Sequence, residues 1–531
     1  MIYSLSAKET HAAKPRLPGP PLRPRAHMKR SLTHQSVAGM LWMVYGKVAF
    51  AILQLVILGV LARLLAPADF GVVSAAAVVI GFSAIVSQLG LGPALVQRPE
   101  LEPRHIETAF TASVLLGLSL GAIIWLGAPL AAQFLRMPGV TPVLHVLAWV
   151  FPLQGLGTVA SSLMSRELRF RWLANLDVVT YGIGYGAVGI TTALLGWGVW
   201  ALVAAQIAQT LLKTVILLGQ HPPRFRNFAD RRAFSELMYF GGGFTAARIA
   251  NYFALYGDNM MVGRCLGPTA LGFYGRAYSL MCAPAYGFGT VLDTVLFPAM
   301  AKVQHDPLRL SAAYRRGVAL IALLVLPPSL AIILLAPEVI HVVLGTRWTE
   351  VIAPFQILAV GMLFRTSYKM SDSITRSTGA VYRRAWRQML YAALVVGGAW
   401  IGQHWGVSGV AWGTLGALTV NFLLMAQLGL DVGHLTWGGF WRAHQPAVLI
   451  TAVSFPVVWA TTTLLRYWSV PSLVVLLAVG GVVVACAILL ALLAPATFLG
   501  NDGQWMLGTM RSFVRQPVRP VPAPTGTPVV E

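Results

Sequence analysis

Charge is scarce in this chain, and negative charge scarcer still: of 531 residues 11% are charged, with 18 Asp and Glu against 39 Lys and Arg. A soluble globular protein carries about 25% charged residues. With 56% hydrophobic residues and a mean hydropathy of +0.69, this chain has too little polar surface to face water on all sides. Cysteine is nearly absent. Cys265, Cys282 and Cys486 lie in or at the ends of apolar runs, without a CxxC pair or a His at ligand spacing, so neither a disulfide framework nor a zinc site is encoded, and no cofactor is implied. No G-x-x-x-x-G-K-[ST] sequence occurs, and no connection exceeds roughly 15 residues, the longest lying around Gln220 to Phe234. A nucleotide-hydrolysing domain is thereby excluded. So is the large outer loop, rich in His and basic residues, expected of a membrane glycosyl polymerase or ligase. The first 27 residues are rich in Pro and Arg and lack an apolar core, so they are not a secretory signal; Met28, followed by Lys29 and Arg30, is an alternative start.

What the chain has in abundance is apolar runs of about 20 residues, each long enough to cross a bilayer as a helix. Fourteen are expected, starting near Val37, Phe70, Glu107, Val140, Trp172, Val199, Leu237, Gly272, Gly317, Val351, Trp386, Val407, Phe440 and Leu473. The expected fold is an all-α polytopic membrane protein. A net charge of +21 would point to nucleic acid in a soluble protein, but here the cations sort by side of the membrane. With the N-terminus in the cytoplasm, 28 of the 39 Lys and Arg fall in inner loops and termini, and only Arg63, Arg136, Arg264, Arg347 and Arg466 remain outside. That bias favours both termini in the cytoplasm.

A short pattern occurs twice, 201 residues apart: Arg63, Leu65, Pro67 and Gly71 in RLLAPADFG, and Arg264, Leu266, Pro268 and Gly272 in RCLGPTALG. The same offset relates Lys47 to Arg248, and Trp197-Gly198-Val199 recurs as Trp405-Gly406-Val407. A repeat unit of six spans is even, so both copies enter the membrane in the same direction and are related by a two-fold axis along its normal. The expected organisation is a disordered basic arm (1–35), a first six-helix bundle (36–219), a cytoplasmic linker (220–236) and a second bundle (237–431). Two further helices (432–495) and a cytoplasmic Pro-rich tail (496–531) follow. The motif residues themselves also fit a simple helix exit, with Pro and Gly ending a span and Arg at the headgroups. That reading leaves the shared offset of Lys47 and Arg248 unexplained.

Nine charged residues fall inside the expected spans: Lys47, Lys213, Arg248, Arg276, Arg365, Lys369, Asp177, Asp258 and Asp293. An ionised group at mid-bilayer costs about 2.5–3.5 kcal/mol on insertion scales, so such groups face a wet cavity or a partner. With Arg63 and Arg264 at the outer boundary, Lys47 and Arg248 lie about 24 Å inward. Arg365 lies at similar depth, with Lys369 one turn on along the same face. Four cations therefore converge on the inner half. They suit an anion such as a diphosphate, which Arg binds bidentately and Lys as a point charge; the alternative is snorkelling to anionic headgroups, which is also the reading for Lys213. Arg276 is either a further ligand for the anion or a partner for Asp258. Asp258 in turn is a candidate coupling-ion site or that partner. Asp177 and Asp293 are expected to be satisfied by basic loop residues. Tyr252, Tyr256, Tyr274 and Tyr278 gather on the same two helices, either to stack on sugar rings or as an interfacial belt.

The segment FGGGFTAARIANYFALYGDNMMVGRCLGPTALGFYGRAYSL, with Pro284 and the LFPAM ending at Met300, resembles the Wzx-type polysaccharide flippases. Within the multidrug/oligosaccharidyl-lipid/polysaccharide superfamily the likeness is to the colanic-acid-exporter-like branch. LARLLAPADFGVVSAA resembles that family's opening helices, and the similarity extends over about residues 36–430. The resemblance implies a two-lobed, MATE-like bundle that is not an enzyme. Its cargo would be an undecaprenyl-diphosphate-linked oligosaccharide, carried from the inner to the outer leaflet of a bacterial inner membrane for exopolysaccharide, capsule or lipopolysaccharide synthesis. Its partners would be that lipid, the surrounding membrane lipids and a polysaccharide polymerase and export machinery, with no nucleic acid. Arg248, Asp258 and Arg276 fall on charged positions of the family pattern, whereas Lys47 is carried by the internal repeat alone. The first span has only Lys47 and the terminal Arg63 where peptidoglycan-lipid flippases carry arginines, which argues against lipid II as cargo. Two other readings stand beside this one. A drug or cation antiporter of the same superfamily would need acids to dominate the cavity, but cations inside the spans outnumber acids six to three. A non-transporting scaffold of an assembly complex would tolerate reversal of the inner cations.

Overall fold

A helix satisfies every backbone group within its own segment, which lets a long apolar run cross lipid without the closed ring of strands that a β-barrel needs. The computed structural model agrees: among the described residues there is no strand. It describes residues 32–87, 92, 95, 96, 101–222, 243–291 and 297–515, with the side chains at 32–45, 47, 48, 84–87, 243–250, 284, 286–291, 297–299, 381 and 509–515 outside that description. Residues 44–517 form one compact unit. Of the other unit, 1–43 with 518–531, only the helical backbone of 32–43 is described.

The first half runs α1 (Leu32–Leu64), α2 (Pro67–Ser87), α3 (Pro103–Leu135), α4 (Val140–Leu147), α5 (Val150–Arg166), α6 (Phe170–Tyr181), a π-helical stretch (Gly182–Gly189), α7 (Ile190–Leu194) and α8 (Val199–Gln220). The second half opens with α9 (Gly243–Val291), broken into two arms at Gly267, whose φ of 86° and ψ of −177° are not helical. There follow α10 (Phe297–Lys302), α11 (Pro307–Leu334), α12 (Ala336–Val343), α13 (Ile352–Val360), α14 (Met362–Ser377), α15 (Val381–Gly402) and α16 (Gly406–Gly433). The chain ends in α17 (Trp437–Tyr467), α18 (Ser472–Leu493), α19 (Pro495–Phe498) and α20 (Gly500–Arg515). Among the described residues seven helical stretches are long and apolar enough to cross a membrane, or eight if the pair meeting at Gly361 with a 41° bend is one span. Only 17% of the most apolar window of α18 is buried, as expected of a helix that faces lipid.

Local chemistry sets several boundaries. The two Trp-Gly-Val copies start α8 and α16 alike: Gly198 (φ 55°, ψ −130°) and Gly406 (φ 70°, ψ −157°) both adopt a conformation closed to residues with a Cβ. Pro129, Pro327, Pro328, Pro446 and Pro456 lie inside helices, where neighbouring helices can satisfy the carbonyls that proline leaves free. Beyond the last long helix the chain returns to the bundle. Arg315 of α11 donates to Asp502 of α20 at 3.0 Å, and Arg316 lies 3.7 Å over the Trp505 ring.

Candidate functional site

The repeated motif forms a seam between the two halves. Gly71 lies against the carbonyl of Pro268 and Gly272 against that of Pro67, each so close that a Cβ would overlap the opposing carbonyl oxygen. Beside this reciprocal contact Trp348 is fully buried, edge-on to Phe70 (5.3 Å, 75°) and Phe273 (6.0 Å, 82°). Its Nε1 donates to the Ala62 carbonyl at 2.8 Å. The motif arginines are spent on backbone. Arg63 donates to Gly59 O (2.8 Å), Val342 O (2.6 Å) and Val343 O (3.2 Å), while Arg264 donates to Phe134 O and lies 4.5 Å over the Phe134 ring.

In the second half, the two arms of α9 with α14, α15 and α16 enclose a charged network. Asp258 is 1% exposed and accepts hydrogen bonds from the Tyr274 hydroxyl (2.7 Å), the Asn259 amide N–H (2.7 Å) and Asn259 Nδ2 (3.0 Å). Having given its proton to Asp258, Tyr274 accepts from Thr414 Oγ1 at 2.9 Å. Arg365 is also buried, donating to the Tyr391 hydroxyl at 3.2 Å and lying 6.0 Å from the Tyr278 ring centre. Among the described residues no carboxylate pairs with it. Its helix α14 is polar yet mostly buried, and Asp372 there is bridged by Arg376 at 3.1 Å and by Arg384.

The alternative pairing of Arg276 with Asp258 is not what the fold builds. Asp258 is satisfied by Tyr274 and Asn259, while Arg276 lies 5.1 Å over the Phe70 ring of the first half. Tyr181 and Tyr185 at the π-helical stretch are its ionisable neighbours, and its Nε has no hydrogen-bond partner among the described residues. Those tyrosines stack at 4.9 Å, and Tyr185 donates to Gln206 Oε1 at 2.6 Å.

Gln206 leads to the feature that sequence reasoning missed, a cavity of about 420 Å³ among α3, α5 and α8. Among the described residues Phe151 and Leu217 are its only large apolar lining residues; the rest are small, hydroxylic or amide-bearing, with one cation, Lys213. Lys213 is held by Asp177 at 2.6 Å, so it is an ion-paired wall residue and not a snorkelling one. A signal was present in the sequence: Gln154, Thr158 and Ser162 recur every four residues, and Gln206, Thr210 and Lys213 form a matching stripe on α8.

The remaining candidates divide by placement. Lys47 and Arg248 lie on helical backbone, but their side chains fall outside the described residues, and Asp293 is wholly outside them. Lys369 is half-buried, 5.7 Å from the Tyr368 ring. Tyr274 and Tyr278 are buried, as is Tyr252, whose hydroxyl donates to the Val78 carbonyl. Tyr256, 39% exposed and 4.8 Å from the Tyr252 ring, keeps a face free. Among the described residues no cluster of His, Cys, Asp and Glu could hold a metal ion.

Residues 60–353, more than half of the chain, match a family model described as polysaccharide biosynthesis protein. The teichuronic acid biosynthesis protein TuaB of Bacillus subtilis (strain 168) is 22% identical over 433 residues, covering 80% of this chain and 88% of that one. The lipopolysaccharide biosynthesis protein WzxC of Escherichia coli (strain K12) is 24% identical over 407 residues, covering 74% and 80% respectively. Among solved structures, the lipid II flippase MurJ in an inward closed conformation superposes with a TM-score of 0.70 at 12% identity, over 90% of this chain and all of that one. At that identity the likeness speaks for the fold.

Proposed function

Because the chain belongs to the polysaccharide biosynthesis protein family, as a multi-span membrane protein with the fold of a lipid flippase, we propose that it flips a lipid-linked oligosaccharide. The cargo is an undecaprenyl-diphosphate-linked polysaccharide repeat unit, moved from the inner to the outer leaflet of a bacterial inner membrane. The observation that carries this most is the polar interior of both halves, set within apolar spans in a fold whose halves meet through both copies of one motif. A lipid-linked diphosphate cannot pass through hydrocarbon unaided, since an isolated anion in a low-dielectric medium costs tens of kcal/mol. Polar walls between two lobes remove that cost while the lipid tail stays in the bilayer.

In this reading fourteen spans form two six-helix lobes in parallel orientation, with α17 and α18 appended and both termini cytoplasmic. The seam closes the periplasmic end, and loading occurs from the cytoplasm. Lys47 and Arg248 hold the diphosphate, with Arg365 and Lys369 as further cations on one face of α14. Arg276, without a carboxylate partner, meets an anionic group on the glycan. Tyr256 is the ring with a face open for sugar stacking, backed by Tyr252, whereas Tyr274 and Tyr278 stack on one another in the buried interior. Asp258 is the candidate coupling-ion site, and its dense hydrogen bonding means that protonation would rearrange Tyr274 and Thr414 with it. Rocking of the lobes opens the seam and exposes the same site to the periplasm, where a polymerase and export machinery receive the product.

The test is flipping of an undecaprenyl-diphosphate oligosaccharide in reconstituted vesicles by wild type, Lys47→Glu, Arg248→Glu and the double variant. Each single reversal is expected to slow flipping roughly tenfold or more, the order expected for losing one charge-assisted contact of about 1.5–3 kcal/mol. Folded variants that flip like wild type would remove the anion site; a wild type that flips nothing would remove the function.

A further inference from the structure

The cavity among α3, α5 and α8 is chemically unlike an anion site. We infer that it seats the uncharged sugar portion of the cargo, apart from the cations that hold the diphosphate; the inference rests on the flippase reading and gives it a location. Three observations support this. First, among the described residues the cavity carries no free charge, because the single cation lining it, Lys213, is neutralised by Asp177 at 2.6 Å. A diphosphate would find no unpaired cation there.

Second, the walls have hydrogen-bonding capacity to spare. Thr158, Ser162 and Thr210 each donate to a carbonyl one turn back on their own helix at 2.8 Å, which leaves the lone pairs of each oxygen free to accept. Among the described residues the side-chain amides of Gln154 and Gln209 have no hydrogen-bond partner, so each offers two donors and an acceptor. Mixed donors and acceptors without net charge complement a sugar, whose hydroxyls do both. Third, about 420 Å³ falls in the range of about 300–1,000 Å³ typical of small-molecule sites, room for about two sugar rings.

Position fits as well. Gln206 both lines the cavity and accepts from Tyr185, which stacks on Tyr181, and both tyrosines are electrostatic neighbours of Arg276, itself set over the Phe70 ring of the other element of the seam. A glycan extending from a diphosphate held between the halves would reach along these residues.

The experiment compares two carriers in reconstituted vesicles, undecaprenyl diphosphate bearing one hexose and the same lipid bearing a neutral tetrasaccharide. The protein is wild type or the full chain with Gln154→Leu and Gln209→Leu together. Selective slowing of the tetrasaccharide carrier by about tenfold, with the one-hexose carrier within about twofold of wild type, is expected of a site built to bond sugar hydroxyls. Equal slowing of both carriers overturns the seat, since amides that act only on packing or on the anion do not count sugars. Unchanged flipping of both also overturns it and leaves a water-filled void. If the leucine pair unfolds by its thermal midpoint, the Gln154→Asn and Gln209→Asn pair makes the same comparison with polarity kept and reach shortened. Wild type flipping neither carrier refutes the flippase reading itself.

Discussion

Hydroxyls bond back to their own helix in both halves, at Thr158 and Thr210 as at Thr366 and Thr419, and the halves differ in what lies at the centre of their polar groups. In the second half the groups bond to one another across helices: Asp258 on one arm of α9, Tyr274 on the other, Thr414 on α16. In the first half Ser113 and Thr214 tie α3 and α8 to α5, while the back-bonded Thr158 and Thr210 and the amides of Gln154 and Gln209 line a cavity. A closed network in a low-dielectric interior is strong when complete and costly when any member is lost. Back-bonded hydroxyls around a void contribute little to cohesion, yet they are free to meet a visitor. One half thus centres on a network built to hold, the other on a cavity built to receive.

The seam is where the halves are alike, and the largest effect is expected there. Gly71→Val and Gly272→Val should each destabilise the closed seam by roughly 3 kcal/mol, the upper range for forcing atoms into a packed site, which is about a hundredfold loss in the closed population. Distances between spin labels at Leu65 and Leu266 would report it as a shift to longer separations. Equal shifts are expected because each glycine meets the carbonyl of the other copy's proline. A shift from one substitution only would break the equivalence of the two motif copies.

The charged network gives the next effect. Tyr274→Phe removes one donor from Asp258 and one acceptor from Thr414, leaving both buried with a group unpaired. The expected cost is about 2 kcal/mol, seen as a lower thermal midpoint in detergent or nanodiscs. A midpoint equal to wild type would mean that Asp258 is not held by this network, and the second half would lose its claim to be the rigid one.

How far these features could be read from sequence depends on whether they are local. Helix starts are local, and the expected Val140 and Val199 are the first residues of α4 and α8. The paired motif was visible as a repeat, but its seam was not, because the need for glycine at positions 71 and 272 comes from a backbone about 200 residues away. Asp258 and Arg276, opposite charges on adjacent spans, allow pairing as one of two readings, the other being separate roles at an ion site and an anion site. Their separation follows from which face of each arm of α9 meets which neighbour, and no spacing rule fixes that. The N-half cavity was overlooked for another reason: charge draws attention in an apolar span, whereas Gln154, Thr158 and Ser162 are neutral and form a stripe only when read at helical spacing.

The smallest effect expected marks the other side of the comparison. Thr210 is nearly as buried as the members of the charged network, at 9% exposure, yet its hydroxyl bonds only the Gln206 carbonyl of its own helix at 2.8 Å. That carbonyl belongs to the α8 ladder and keeps its backbone bond when the hydroxyl is gone, so Thr210→Val replaces a hydroxyl by a methyl without orphaning a partner. Its cost should fall below about 0.5 kcal/mol, since back-bonding of this kind adds nothing to a helix and slightly bends it. Thermal midpoints of Thr210→Val and Tyr274→Phe, measured side by side, compare the halves directly. A midpoint loss for Thr210→Val as large as for Tyr274→Phe would mean that the first half too is held together by its polar groups, and its cavity walls would then be structure before they are a binding surface.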